Sequence, residues 1–409
     1  MNTSLSKKII SLFLSIVFLN PTKVFGDDSH QHHKSHRADH HAPAGIMNDH
    51  MHKKGEFMVG YRMMYMGMSH GMDHSSNVME GEDHSHKSSS VLHMDEVHGE
   101  ENSMGDTTPS AAPMNDGMTQ PSVSEDMVDH DMTSDHHDED VVVLDSDQSG
   151  HKSPHSHKMD MVMHMAEIMY GVTDDFNIMF MPMFVTSKMD HAINEPFTVR
   201  SEGLGDTRLS GMYRIYNEDG MSSIASLGFS IPTGEITTRD GFPDSTDGMN
   251  PRTRLPYHMR NGSGTLDLLP AITFSKNFDS SSVGIQGSSV LRLTESSLNY
   301  SLGDQYRVTS WYQYLVNELV SVNFRLLGEV YQDVRGADKQ LDQSNPFFNP
   351  NQQGGAQLIG LIGANLIVPH GVLAGQRFGL EFGTPIADDL ESGIHETDYV
   401  VNLNWNMSF

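Results

Sequence analysis

The chain has 409 residues, no cysteine, a formal net charge of −28, and an excess of methionine (30) and histidine (25). The lack of cysteine excludes disulfide bonds, thiolate metal sites and thiol nucleophiles. The strong negative charge argues against a nucleic-acid partner, because surfaces that bind nucleic acid are basic.

The N-terminal segment has the features of a secretory signal peptide. Lys7 and Lys8 precede an apolar run over residues 9–19, which is too short to span a bilayer as a helix. Val24 and Gly26 are small enough for a signal-peptidase site, so we predict a cleaved signal peptide over residues 1–26. No later stretch is long and apolar enough for a transmembrane helix, so we expect any membrane-spanning part to be a closed sheet.

Two segments have too few apolar residues to fold alone. Residues 27–54 are rich in histidine, and residues 67–158 are acidic and rich in histidine and methionine. Such compositions favour disorder, because little apolar surface is available to offset the loss of chain entropy. We predict a disordered periplasmic tail over 27–54 and a disordered extracellular loop over 67–158.

The same two segments carry many side chains that bind transition metals. Imidazole suits Cu(II), Zn(II) and Ni(II), whereas thioether prefers Cu(I). No fixed ligand spacing defines a closed site, so we expect flexible, multi-site binding of copper or another transition metal, and no required cofactor. The alternative is a solvated polar segment with no ligand. The candidate ligands are His32, His33, His36, His40, His41, His50, His52, Met68, His70, Met72, His74, His84 and His86.

The C-terminal residues VVNLNWNMSF alternate strictly between apolar and polar side chains. Val401, Leu403 and Trp405 lie on one face of a strand, and the asparagines lie on the other. A chain that ends on such a strand with a terminal Phe409 resembles the C-terminal signal of outer-membrane barrels, which implies recognition by barrel-assembly machinery. A soluble β-sandwich is the alternative.

Similar segments recur upstream, and we predict an all-β, antiparallel transmembrane β-barrel of about 12 strands over residues 55–409. The connections alternate between short turns and long loops, which places both termini on the periplasmic side. Pro182 and Pro270 fall inside predicted strands and favour a bulge or a shortened strand. The predicted strands are 55–66, 159–170, 177–188, 206–216, 222–231, 264–275, 282–293, 304–315, 320–332, 357–368, 376–385 and 397–408.

Several side chains on these strands are candidates for the barrel lumen. Charged residues are costly in lipid, so those on strands are expected to point inward. Methionines share one face of the second strand and one face of the third. An inward wall of thioethers suits hydrophobic solutes or Cu(I), and packing or lipid contact is the alternative. The lumen candidates are Met161, Met163, Met165, Met179, Met181, Met183, Arg208, Arg214, Arg325 and Glu329.

Six segments occur in a fixed order: PAGIMNDHMHKKGEFMVGYRMMYM, MVMHMAEIMYGVTDDFNIMFMPMF, TVRSEGLGDTRLSGMYRIY, SIPTGEIT, LPYHMRNGSGTLDLLPAITF and GDQYRVTSWYQY. They resemble a family of outer-membrane transporters labelled MetA-pathway of phenol degradation. The resemblance covers most of residues 43–409 and implies an outer-membrane barrel, although the long acidic insertion departs from the family pattern. Stretches such as MSHGMDHS give a weaker resemblance to outer-membrane copper-resistance proteins.

We therefore expect a bacterial outer-membrane channel or transporter for downhill passage of small solutes, including hydrophobic or aromatic ones. The alternative is a copper-binding resistance protein that uses the barrel as an anchor. The expected partners are outer-membrane lipid, the assembly machinery, and a small solute or metal ion. The sequence contains no nucleophile elbow, P-loop or dinucleotide fingerprint, so we do not expect an enzyme.

Overall fold

The computed structural model describes residues 37–70, 156–192, 197–244, 248–370 and 373–409. The predicted signal peptide and most of the predicted acidic loop lie outside these residues. Short 3₁₀ helices span Ala38–His40, Tyr257–Met259, Pro346–Phe348 and Pro350–Gln352. Within the described ranges, no helix has the length and hydropathy needed to cross a bilayer.

The strands are β1 (Phe57–His70), β2 (Ser156–Thr173), β3 (Phe176–Met181), β4 (Met183–Ala192), β5 (Phe197–Leu204), β6 (Thr207–Glu218), β7 (Met221–Ile231), β8 (Arg239–Asp244), β9 (Gly248–Arg254), β10 (Asp267–Asn277), β11 (Ser281–Arg292), β12 (Tyr300–Ser301), β13 (Gln305–Asn317), β14 (Val320–Tyr331), β15 (Arg335–Gly336), β16 (Gly355–Ile367), β17 (Arg377–Leu390) and β18 (Glu396–Ser408).

The large sheet closes on itself as a 12-stranded antiparallel barrel. β1 pairs with β2 on one side and with β18 on the other, so the seam between the two ends of the sheet is closed. β3 and β4 share one position in the barrel, next to β2, and β5 and β6 share the following one. Closure lets the backbone N–H and C=O groups at both ends of the sheet form hydrogen bonds, which is the condition for a sheet to lie in lipid. The predicted fold class is confirmed.

The two prolines inside predicted strands have different effects. Pro182 separates β3 from β4, because it lacks the N–H group that the ladder needs. The register with β2 is the same on both sides of this break. Pro270 lies within β10, opposite Leu227, with no shift of register. The predicted shortening therefore occurs at Pro182, and neither proline produces a bulge.

The two ends of the barrel differ. The turn end carries the short connections after β2, β6, β10, β13 and β16, together with Phe57 and Phe409. Positive φ angles of 51° at Asp219 and 72° at Gly220 allow the tight turn between β6 and β7. The loop end carries the long connections, including the β8–β9 hairpin and the β12–β15 pair. In outer-membrane barrels the short turns are periplasmic.

The strands extend further toward the loop end than the sequence pattern indicated. β1 continues to His70 and β2 begins at Ser156, so residues 67–70 and 156–158 belong to strands and not to the acidic loop. Most of the predicted loop over 189–205 is a hairpin between β4 and β5. In both places backbone pairing continues beyond the point where the apolar alternation fades.

Apolar side chains cover the outside of the barrel. Leu227, Phe324 and Leu380 are among the exposed side chains of its middle, and Tyr213 and Tyr314 belong to a ring of exposed aromatics at the turn end. Apolar bands flanked by aromatic residues are typical of barrels that lie in a bilayer. On β18, Asn402 and Asn406 are buried inside while Leu403 is exposed outside, as the C-terminal alternation predicts.

Candidate functional site

Residues 37–56 run from inside the turn end of the barrel to its rim, where Lys53 and Lys54 are exposed, and we call this segment the plug. Gln313 Nε2 of β13 donates to the His41 carbonyl at 2.8 Å, and Gln286 Nε2 of β11 donates to the Met47 carbonyl at 2.6 Å. The prediction of a disordered tail over 27–54 is therefore wrong for residues 37–54, which are ordered against the barrel wall. Polar side chains of the lumen satisfy the plug backbone, which explains why a segment with little apolar surface is held in place.

The tip of the plug, residues 44–46, contacts a first buried ion pair. Arg62 of β1 and Glu167 of β2 are joined by a 2.8 Å contact, and both side chains are almost fully buried. Arg62 Nη1 also donates to the carbonyls of Ala44 and Ile46, at 2.8 and 2.7 Å. Both carbonyls are thus bound to a charged donor, which makes these hydrogen bonds stronger than neutral ones.

A second buried ion pair, formed between β14 and β17, also contacts the tip of the plug. Arg325 of β14 donates to Glu381 of β17 through two hydrogen bonds, of 2.9 and 3.0 Å. Glu381 in turn accepts the backbone N–H of Gly45 at 2.7 Å. A Cβ atom on Gly45 would overlap Arg325 Nη2 and lie 2.9 Å from Asn402 Nδ2 and from Glu381 Oε2. A larger residue at position 45 would therefore require Arg325 or the plug backbone to shift.

A cavity of about 400 Å³ lies between the plug and the loop end. Residues 44–47 of the plug bound it at one end, and residues 257–263 and Gln353 bound it at the other. This volume is within the range of sites that hold one small molecule.

One wall of the cavity is apolar and consists mainly of thioethers. Met64 of β1 lies opposite Met163 of β2, and Met165 of β2 lies opposite Met183 of β4. The apolar surface continues onto β14, β16 and β18 through Leu327, Ile359, Leu361 and Val400. Because methionine is flexible and polarizable, such a wall adapts to apolar groups of different shape.

The opposite wall, formed by β6, β10, β11 and β13, is charged. Arg292 pairs with Asp267, and Arg307 pairs with Glu329. Arg208 of β6 lies near the charges of these two arginines. Among the described residues Arg208 forms no ion pair, and its buried Nε atom has no hydrogen-bond partner. The Asp206 and Asp267 carboxylates also line the cavity and act on the Arg208 charge, but neither forms an ion pair with it. The Arg208 guanidinium can therefore donate hydrogen bonds to an anionic group in the cavity.

Loops at the loop end fold over the cavity. Arg254 and Arg260 both donate to Asp338, at 2.7 and 2.8 Å. The Arg260 guanidinium also lies over the rings of Tyr257 and Tyr300, at 5.0 and 4.8 Å from their centroids. These contacts fix residues 254–260 above the apolar and charged walls.

A cluster of metal-binding side chains lies in the plug. A nitrogen of His41, a nitrogen of His50 and a carboxylate oxygen of Asp49 lie within 4.8 Å of one another. His50 Nε2 is 3.4 Å from Met58 Sδ. Burial lowers the pKa of His41 well below its usual value and lowers the pKa of His52 to about 3. The positive charge of Arg377 lowers the pKa of both imidazoles in the same direction.

The lumen candidates from the sequence occupy three places. Met163, Met165, Met183, Arg208, Arg325 and Glu329 line the cavity. Met161 and Met181 pack against the thioether wall. Met179 packs nearer the turn end with Met51 of the plug. Arg214 is also at the turn end, 3.9 Å from Asp175, and does not line the cavity.

The candidate metal ligands predicted from the sequence do not form one site, and only some of them lie in the described residues. His41 and His50 meet beside Asp49, and the His52 ring lies 5.1 Å from that of His50. His40 ends the first 3₁₀ helix, Met68 packs against the apolar cluster of the loop end, and His70 ends β1. Outside the described residues are His32, His33, His36, Met72, His74, His84 and His86.

Sequence reasoning missed the plug, and with it Gly45 and Asp49. A compositional signal was present, because residues 42–47 (APAGIM) carry no charge and interrupt the histidine-rich tail. It also missed Arg292 and Arg307, although both lie on predicted strands where charge is expected to face the lumen.

No family model matches the sequence, and no curated protein matches it. An outer membrane channel from Pseudomonas putida F1 has a similar structure, with a TM-score of 0.51, 10% identity, and coverage of 88% of this chain and 97% of that one. The β-domain of the Bordetella autotransporter BrkA has a TM-score of 0.37 and 9% identity, covering 63% of this chain and 92% of that one. The CymD monoaromatic hydrocarbon channel has a TM-score of 0.33 and 8% identity, covering 88% and 89%. At 10% identity, the similarity to the Pseudomonas putida channel shows a shared fold.

Proposed function

We propose that the protein is an outer-membrane channel for small amphipathic solutes, which have an apolar or aromatic body and an anionic end. The observation that carries this proposal is the cavity, in which a wall of thioethers faces Arg208, an arginine that forms no ion pair within the described part of the chain. The apolar body of a solute would contact the methionines, and its anionic group would accept hydrogen bonds from Arg208.

Two further features support a channel. The barrel has an apolar outer band suited to lipid, and its fold is similar to that of the Pseudomonas putida outer membrane channel. Passage through the lumen requires the plug to move, because residues 44–47 lie below the cavity. Hydrogen bonds of its backbone to side chains of the wall hold the plug, and these bonds can be exchanged for bonds to water.

Liposomes that contain the purified protein test the solute class. Uptake of benzoate is compared with uptake of benzyl alcohol and of acetate, in the wild type and in Arg208→Gln. A charge-assisted hydrogen bond contributes about 1.5–3 kcal/mol, so we expect Arg208→Gln to raise the half-saturating benzoate concentration by roughly tenfold or more. Benzyl alcohol uptake should change little.

Arg214→Gln is the matched control for this experiment. Arg214 lies on the same face of the same strand as Arg208, but at the turn end and outside the cavity. Equal benzoate uptake in the wild type and in both variants would refute a role for Arg208 in solute selection. Absence of any solute flux, with or without residues 37–56, would refute the channel itself.

The second candidate function is metal sequestration with the barrel as an anchor, which the cluster of His41, Asp49 and His50 favours. Deleting residues 71–155 in a His41→Gln background separates the two functions, because it removes the histidine- and methionine-rich loop and one ligand of the cluster. The strands β1 and β2 stay intact, since they end at His70 and begin at Ser156. Loss of copper tolerance with unchanged solute uptake would favour sequestration, and the reverse result would favour the channel.

A further inference from the structure

The plug chain turns back on itself between His41 and His50. Asn48 has a positive φ of 59°, which lets the backbone reverse at that point. The backbone N–H of Ala42 donates to Asp49 Oδ2 at 2.7 Å and closes the base of the loop. The two ends of the loop are therefore adjacent, and the rings of His41 and His50 are 3.9 Å apart between centroids.

We propose that His41, Asp49 and His50 bind one divalent transition-metal ion of the zinc or copper(II) class, and that this ion fastens the base of the plug loop. The three donor atoms already lie within 4.8 Å of one another, so a small contraction would bring them to a common ion. Two imidazoles and one carboxylate suit these metals, whereas magnesium and calcium require oxygen ligands.

The surroundings of the cluster orient its ligands. His50 Nδ1 lies 2.9 Å from Asp49 Oδ1, and His50 Nε2 lies 3.4 Å from Met58 Sδ. An ion bound between His50 Nδ1 and Asp49 Oδ1 would replace the Nδ1 proton, and the remaining N–H at Nε2 would donate to Met58 Sδ. The second carboxylate oxygen of Asp49 is held by Ala42. Contacts of this kind, which fix the tautomer and the carboxylate, are typical of metal sites in proteins.

Metal binding at the loop base would act on the tip of the plug. The loop that the ion closes contains residues 44–46, whose backbone contacts Arg62 and Glu381. With the base fastened, the tip loses less conformational entropy when it docks, so the closed state is favoured. This consequence for passage rests on the proposed channel function, whereas the metal site itself does not.

Zinc retention by the full-length protein tests the site. The protein is loaded with zinc, dialysed against free histidine to remove ions from weaker sites, and analysed for bound zinc. The variants are Asp49→Asn, in which the amide oxygen can still accept from Ala42, and His41→Gln. The control is His370→Gln, which changes an exposed imidazole at the same end of the barrel. Heat-modifiable migration in gels verifies that each variant is folded.

We expect the wild type and the His370 variant to retain one zinc ion more than the Asp49 and His41 variants. Zinc should also slow tryptic cleavage after Lys53 and Lys54 in the wild type, about tenfold if the ion stabilises the docked plug by 1.4 kcal/mol. Equal retention in all four proteins would overturn the proposal, as would equal loss in the control variant. Because neither readout involves solute flux, failure of the channel proposal would leave both results interpretable.

Discussion

Replacing Gly45 with alanine perturbs the contact between the plug and the barrel wall at a single point. The added Cβ would overlap Arg325 Nη2, and the nearby Glu381 carboxylate and Asn402 amide leave little room on the other sides. Since Arg325 is held by two hydrogen bonds to Glu381, it cannot swing away without losing at least one of them. The plug tip is the part that can move.

The size of the effect follows from the contacts that are lost. If the tip retreats, Gly45 loses its 2.7 Å hydrogen bond to Glu381, which is a bond to a charged acceptor. Such a bond contributes about 1.5–3 kcal/mol. The equilibrium between the docked and the withdrawn plug is therefore expected to shift toward withdrawal by roughly 10- to 150-fold.

Planar-bilayer recordings of the purified protein measure this shift as the fraction of time spent in a conducting state. Gly287→Ala is the matched control, because a Cβ at Gly287 meets no atom within 4 Å. We expect long conducting periods for the Gly45 variant and wild-type behaviour for the Gly287 variant. Wild-type conductance in the Gly45 variant, together with unchanged tryptic cleavage at Lys53, would refute the role assigned to the plug tip.

Three further predictions concern the barrel. Arg325→Leu leaves Glu381 buried without its partner, so the stability of the barrel in denaturant titrations should fall by about 3–5 kcal/mol, and adding Glu381→Leu should restore most of it. Gly284→Ala places a Cβ against the Trp311 ring and should cost about 1–3 kcal/mol with a shift in tryptophan emission; an unshifted spectrum would contradict the packing. Phe409→Ser should reduce the heat-modifiable fraction in cells several-fold without changing refolding in detergent, and unimpaired assembly would argue against recognition of the terminal strand.

The strands of the barrel could be predicted because each one has a polar lumen on one side and an apolar outer surface on the other. On β14, Asn323 and Arg325 face the lumen, and Val322 and Phe324 face outward. Polar and apolar residues therefore alternate along the sequence with the period of two that a strand requires. The same reasoning placed Met165 on the methionine face of its strand and Met183 on the methionine face of the next one. The pairing of β2 with β4 brings these two side chains next to each other.

The plug could not be predicted in this way, because its backbone makes the contacts and these leave no periodic pattern. The partners of the His41 and Met47 carbonyls, Gln313 and Gln286, are more than two hundred residues away in the chain. The meeting of His41 with Asp49 likewise depends on a backbone reversal at Asn48 and not on ligand spacing. In the part of the chain that the structure describes, Arg208 has no ion-pair partner because the closed barrel places Asp267 against Arg292 and Glu329 against Arg307.

The connection between the plug and β1 determines how the lumen can be vacated. Gly55 and Glu56 exchange backbone hydrogen bonds with Gly171 at the rim, immediately before β1 begins. Under the proposed channel function, residues 37–52 could therefore leave the lumen while Gly55 and Glu56 stay paired with Gly171 and the strands of the barrel keep their hydrogen bonds. The covalent link through residues 51–56 would hold the displaced segment at a high local concentration near its binding site, which favours its return.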